Sequence, residues 1–409
     1  MLPGINIEFQ NGQLGQVVDL PDGTAGLLAS ATAVGITFLL NTPYQIKSMV
    51  DVAALGIIPD VNNHVLYKTL KEFYAEAGEG TELWLMGFAK TTKVSDWFTL
   101  DVLTGKAPAE KLLDSANGKI RMLFTAFSPS GAYTVTLAGS IDADVMIATN
   151  LAQQLAVNYT ANKYAPFFTI IEGYAFDGDK VTLTELSTAS FNRVMIALGD
   201  TEKRTGTSAS KGAAVGIIAG RFAKISVHVN IGKVRDGALS NLVAYILDTP
   251  AEQYDVEALH DKGYVTFRQH TGKSGYFFTD DPLACEIQDD YHYASRRRVI
   301  DKAYRLAYTA CLEFLLDDNT VNNDGTLSPI YAGIIENEVE SLIFKQMTAN
   351  GELSYDSGDA KDRGVICKMD LTNNVTSTSK LKFSKLQVKT KGTNRWIDVP
   401  LGFVPVTSN

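Results

Sequence analysis

Between residues 23 and 275, apolar runs of strand length alternate with stretches of helical periodicity, and that order of elements permits few folds. Ala25 to Ile36 reads as a buried strand and its approach, and Thr42 to Gly56 as a strand end followed by a short helix stopped by glycine. Val65 to Ala77 is a helix: Leu66, Leu70, Phe73 and Tyr74 recur at three- and four-residue steps, and Gly78 closes it. Strands follow over Glu82 to Phe88, Ile120 to Phe127, Phe167 to Tyr174 and Arg193 to Leu198, with an alanine-rich helix from Asp142 to Val157 and another near Gly212 to Ala223. Strands separated by helices build an α/β layer with helices packed on a mostly parallel sheet. This is the expected domain of residues 23–275.

The last third has a different rhythm. Ser295 to Asp317 reads as a long helix with Ile300, Ala303, Ala307, Cys311 and Phe314 along one stripe. A second helix starts at Ser328 and Pro329, and two strands, Gly364 to Leu371 and Lys380 to Lys389, are joined by the Asn373-Asn374 turn. The expected fold class is therefore α/β with a C-terminal α+β domain, residues 276–390, of two helices and a small sheet. Extended arms flank it, at 1–22 and 391–409. Ile5, Ile7 and Phe9 in one arm, and Ile397, Val399, Leu401 and Phe403 in the other, alternate at the strand period. Neither arm has a hairpin partner beside it. A lone strand leaves its backbone groups unpaired, so it frays or adds to the edge of another chain's sheet.

Charge and cysteine usage narrow the function class. A net charge of -9 opposes nucleic-acid binding, which relies on Lys and Arg displacing counterions. Cys285, Cys311 and Cys367 are odd in number and fit no CxxC pattern, so neither a disulfide framework nor a zinc site is expected. Met1-Leu2-Pro3 lacks the basic start and apolar run of a signal peptide, and the uncharged stretch from Thr24 to Ile46 is interrupted by Pro43, Gln45 and several hydroxyl residues, against membrane insertion.

Apparent motifs resolve into structure. Asn322-Asn-Asp-Gly325 resembles part of a calcium loop, but Thr320 and Tyr331 occupy the first and twelfth ligand positions. Gly212, Gly216 and Gly220 put three small residues on one helix face, which suits close packing. The five histidines stand at no metal-ligand spacing, no G-x-S-x-G elbow is present, and no cofactor is expected. The triplet Arg296, Arg297 and Arg298 is different, because it occupies a helix's first turn, where cations are disfavoured by about 0.3–1 kcal/mol each. An anionic neighbour is required: either Asp289 and Asp290 just upstream, or acidic groups on a partner protein.

In its order of parts the chain resembles contractile tail sheath proteins of phage tails and phage-like injection systems. The resemblance rests on Thr42-Pro-Tyr through Leu55-Gly56, Leu66 to Phe73, Ala77-Gly-Glu-Gly80 before Leu83-Trp-Leu, and Ser208 to Gly220. It continues through Leu259 to Phe267, Gly272 to Asp280, Tyr291 to Val299, Asn373 to Lys389 and Ile397 to Phe403. The Gly-x-Arg-Thr expected near the glycine turn is replaced by Tyr276-Phe-Phe-Thr-Asp280, which lacks the arginine and suggests a divergent branch. The resemblance implies a non-enzymatic subunit of hexameric rings stacked helically around an inner tube, with baseplate and tail terminator proteins as further partners. It also implies assembly in the bacterial cytoplasm into a virion tail or phage-like particle. Terminal arms are donated between subunits, and Arg296, Arg297, Arg298 and Lys302 are expected to face the tube or a neighbouring subunit. An α/β hydrolase-like enzyme and a tail-associated receptor-binding protein are the alternatives.

Overall fold

The structure, a computed structural model, describes residues 22–205 and 210–403. Its centre is β1 (Ala25–Ala31), every residue of which is buried. A strand so uniformly apolar must be covered on both faces, as it is in a parallel sheet sandwiched by helices. Parallel neighbours flank it, β3 (Leu83–Ala89) on one side and β4 (Met122–Ala126) on the other. Outward from β4 lie β5 (Phe168–Glu172) and β6 (Val194–Ala197), also parallel. The one antiparallel strand, β2 (Pro43–Ile46), forms the edge beside β3, giving the six-stranded order β2-β3-β1-β4-β5-β6. The expected mixed α/β architecture with a mostly parallel sheet is therefore present.

Adjacent residues of β1 project to opposite faces and enter different cores. Leu27 joins a core with Leu70, Phe73 and Phe222 from α2 (His64–Ala77) and α6 (Val215–Lys224). Leu28 joins Trp97, Leu112 and Ala152 from α3 (Val94–Phe98), α4 (Pro108–Ser115) and α5 (Ala143–Lys163). The short helix α1 (Met49–Ala54) precedes α2 and is followed by Gly56 at φ 76°. The sequence reading left α3 and α4 undescribed because five and eight residues carry too few turns to display a period. It also ended α5 early: the helix runs to Lys163, where Tyr164 takes a left-handed conformation at φ 55°.

Glycine spacing on α6 finds its use against α2. A Cβ at Gly216 would lie 2.3 Å from the Thr69 carbonyl oxygen, and one at Gly220 2.7 Å from that of Phe73. Side chains at either position would push the helices apart. The expected close packing holds for these two; Gly212, expected on the same helix face, lies ahead of the helix, where a Cβ would meet Glu172 Oε1.

α7 (Ala294–Leu312) crosses the end of the sheet where the parallel strands begin. Asp22, three residues before β1, pairs with Lys302 and Arg305; Arg193, immediately before β6, pairs with Asp301. The same helix then supplies Val299, Ala303 and Ala307 to a separate core with Val339 and Ile343 of α8 (Pro329–Ile343) and Cys367 of β7 (Val365–Met369). β8 (Phe383–Val388) pairs antiparallel with β7. Asn374 caps a helical turn, Val375–Thr378, within the link predicted as a simple turn. Residues 277–285, expected in the C-terminal domain, pair with Phe267, Arg268, Ser190 and Phe191, and Phe278 and Leu283 lie in the first core.

Two glycine substitutions have opposite expected signs. Gly216→Leu overpacks the α2–α6 contact and lowers stability by about 1–3 kcal/mol or more. Gly333→Ala, on an exposed position of α8 where an added Cβ meets nothing within 4 Å, raises it by about 0.5–1 kcal/mol. Urea midpoints of the purified variants measure both.

Candidate interaction site: an open sheet edge and a moored arm

The sheet of β7 and β8 has only two strands among the described residues, and its two edges are treated differently. On the outer edge of β7, the Cys367 N–H donates to Glu340 Oε1 at 2.9 Å and the Met369 N–H to Glu336 Oε1 at 2.8 Å, both carboxylates coming from α8. Lys368 holds Glu336 in place at 2.6 Å. That edge is capped by side chains.

β8 has no such cover. The Lys389 N–H donates to the Gly364 carbonyl, toward β7, so by strand alternation Leu386 and Val388 direct their backbone groups outward. No partner meets them among the described residues, and Ser384 to Gln387 are exposed. Because a two-stranded sheet is marginal by itself, a further strand here would satisfy backbone groups and add a surface for packing.

Beyond β8, residues 391–403 form neither helix nor strand and make no backbone–backbone hydrogen bond within the described chain. Ile397, Val399, Leu401 and Phe403 are exposed, Leu401 at 95%. The matching residues Ile5, Ile7 and Phe9 of the other arm lie outside the described residues.

One residue fastens this bare segment to the body. Arg395 donates from Nε to Asp280 Oδ2 at 2.7 Å and from Nη2 to Asp281 Oδ1 at 3.4 Å, and its guanidinium lies 3.3 Å from the centre of the Tyr293 ring. Asp281 is fully buried and also accepts the Ser295 N–H at 2.8 Å and an amide N–H of Asn230 at 2.6 Å. Burial raises the Asp280 carboxyl, but hydrogen bonding to and charge from Arg395 outweigh it and leave the group below its ordinary range. Burial, then the adjacent Asp280 charge, pushes Asp281 well above that range. Of the two carboxylates, Asp280 is thus the one whose negative charge Arg395 stabilises.

The arginine triplet is placed differently from its expected tube-facing role. Arg297 and Arg298 are buried; of the three, only Arg296 is exposed, with Tyr293 beneath it at 5.2 Å. Arg297 pairs with Asp301 one turn on, at 2.7 Å, and Arg298 donates to the Phe222 and Ile225 carbonyls at the end of α6. Burial pushes Arg298 down to about 10 despite Asp22 and Glu352 nearby. Lys302 is held between Asp22 at 2.6 Å and Glu352 at 2.9 Å. Of the triplet, Arg297 is thus answered by an internal acid and Arg298 by carbonyl dipoles. Asp289 is occupied elsewhere, accepting from the Tyr291 N–H and from Asn192. Position at a helix start identified the charge problem; Asp301, four residues on, answers Arg297, and carbonyls more than seventy positions away answer Arg298. Glu336 and Glu340, which cap β7, and Arg395 were passed over because single charged residues give no signal without the fold.

A chain with this sheet, crossing helix and trailing arm has the fold of contractile sheath proteins. It aligns over 98% of its length with 99% of a chain in the baseplate of the anti-feeding prophage (TM-score 0.60, 14% identity). It likewise aligns over 98% with 97% of a chain in the contracted sheath complex of an extracellular contractile injection system (TM-score 0.58, 14% identity). The sheath tail protein of Desulfitobacterium hafniense matches over 90% of this chain and 94% of its own (TM-score 0.53, 11% identity). At such identities the likeness is one of fold. The chain belongs to the DUF2586 family, whose N-terminal domain matches residues 2–282 and whose C-terminal domain matches residues 290–408. No curated protein matches it. Among the described residues no helix is long and apolar enough to cross a membrane.

Replacing Arg395 with alanine removes the fastening while leaving both cores intact. Hydrogen exchange followed by mass spectrometry is expected to show faster exchange at Tyr293 to Ser295, with exchange in β1 and β4 unchanged.

Proposed function

We propose that this protein is the structural subunit of a contractile tail sheath. Copies polymerise helically as stacked hexameric rings around an inner tube, linked by donated terminal strands, and shorten together to drive the tube through a target envelope. The observation that carries this reading is the pairing of opposites within one subunit: an uncovered β8 edge lacking a strand, and an apolar arm lacking a sheet. The arm of one copy supplies what the edge of the next lacks. Head-to-tail exchange whose rotation does not close generates a helical filament.

The reading divides the subunit into an outer domain, which takes in residues 277–285 beyond the expected 23–275, and an inner, tube-proximal domain over the rest to 390, with arms at 1–22 and 391–409. The separate cores of the sheet and of α7–α8 support two bodies, with α7 shared between them. Contraction is then a rigid-body repacking of subunits that remain laced by their arms. The role is structural rather than catalytic, with baseplate and terminator proteins meeting the filament's ends and assembly proceeding in the bacterial cytoplasm. Ile5, Ile7 and Phe9 serve in the same way as Ile397, Val399, Leu401 and Phe403.

Two proteins separate the contributions of arm and edge. Deleting residues 396–409 removes the donated strand. Leu386→Pro leaves the β7 bonds of β8 in place but deletes the outward N–H and blocks addition of a strand. Both variants are expected to stay folded by circular dichroism and to form no long tubules by negative-stain electron microscopy. Long striated tubules from either folded variant would count against strand donation.

Of the original cationic group, Arg296 is the member available to a partner, and we assign it to the tube-facing or inter-subunit surface. Arg296→Glu is expected to reduce co-sedimentation of sheath with tube protein several-fold at low salt, the difference shrinking as ionic strength rises. Equal co-sedimentation at every salt concentration rejects the assignment.

A further inference from the structure

The rim where the parallel strands begin holds more positive charge than its carboxylates can answer. Arg121, Arg193, Arg297, Arg298, Lys302 and Arg305 gather there around Asp22, Asp301 and Glu352. Each of the two aspartates is already shared by two cations: Arg193 and Arg297 hold Asp301, and Lys302 and Arg305 hold Asp22. Lys302 also takes Glu352, and Arg298 is directed to the carbonyls at the end of α6. Arg121 is left over.

That arginine is 5% exposed, and among the described residues its one side-chain hydrogen bond runs from Nη1 to the Gly118 carbonyl at 2.7 Å. Among the described residues its Nε and Nη2 have no hydrogen-bond partner. Both belong to a side chain lining a small cavity shared with Asp22, Arg298, Asp301 and Arg305, with about 10 Å³ available to the centre of a water-sized particle. This is room for about one such particle. Burial, and secondarily the charge of Arg305, lowers Arg121 to about 9, yet the guanidinium remains protonated at neutral pH. Asp22 and Asp301 offset its charge in part, but each is already bonded to two other cations, so a buried guanidinium with two unanswered N–H donors remains costly.

We propose that this cavity is a binding site for one small monovalent anion of halide size, held by Arg121 Nε and Nη2 and by the field of Arg305. Water can accept the same N–H groups but leaves the charge unbalanced; phosphate and sulfate exceed the available space. The site lies between the first residues of β1 and β4 and the crossing helix α7, so the ion joins the sheet to that helix. This assignment is independent of the sheath reading.

Bromide supplies a direct probe. Crystals of the wild-type full chain grown in sodium bromide are expected to give an anomalous peak between Arg121 and Arg305. In solution, the excess line width that the protein adds to the ³⁵Cl resonance is expected to fall at least fivefold in Arg121→Met. Circular dichroism establishes that the variant is folded. Absence of the bromide peak from the wild-type cavity, or an unchanged chloride line width in a folded variant, overturns the proposal. Should Arg121→Met fail to fold, the wild-type bromide map alone decides it.

Discussion

The contact between Arg193 and Asp301 is the hinge on which the architecture turns. Two parallel bonds of 3.0 and 3.1 Å join the residue just before β6 to the middle of α7, and both side chains are buried. A charge pair so far from water adds little net stability compared with apolar packing, but loss of one partner strands the other, at a cost of about 3–5 kcal/mol. Its value is geometric. The planar fork of the guanidinium fixes where along α7 the sheet attaches, and Lys302 and Arg305, through Asp22, extend the same fixation over about one further turn of helix.

Because α7 also contributes Val299, Ala303 and Ala307 to the core beneath β7, the charge lattice on one face and the apolar stripe on the other make it common to both parts of the subunit. In open parallel sheets ligands usually bind beyond the ends of the strands, where their carboxyl termini point. Here that rim is stitched shut instead. Glu172, at the end of β5, accepts backbone N–H groups from Phe127 and Ala213, and burial pushes it up to about 8. The sheet behaves as a rigid plate whose working features hang from α7.

Local order was legible in the sequence wherever a pattern repeated over several turns or a full strand. Leu66, Leu70, Phe73 and Tyr74 announced α2, and the unbroken apolar character of Ala25 to Ala31 announced a strand covered on both faces. Gly216 and Gly220 revealed a tight face, although only the fold identifies Thr69 and Phe73 as the backbone they approach. The Arg296 to Arg298 cluster exposes the limit. Its position at a helix start called for compensation; Asp301, at the i+4 spacing from Arg297, was within reach of a linear reading, whereas the α6 carbonyls that receive Arg298 give no compositional signal at all. The arm presents the reverse case: its alternation was plain in the sequence, while among the described residues no sheet ladder forms on it.

The mooring of Arg395 has a mechanical corollary. Drawn out fully, the described stretch from Trp396 to Phe403 spans about 26 Å. If copies exchange this arm as proposed, a neighbour's receiving edge that moves beyond the arm's reach requires the fastening at Asp280 to yield first, so the length of the leash bounds the stroke.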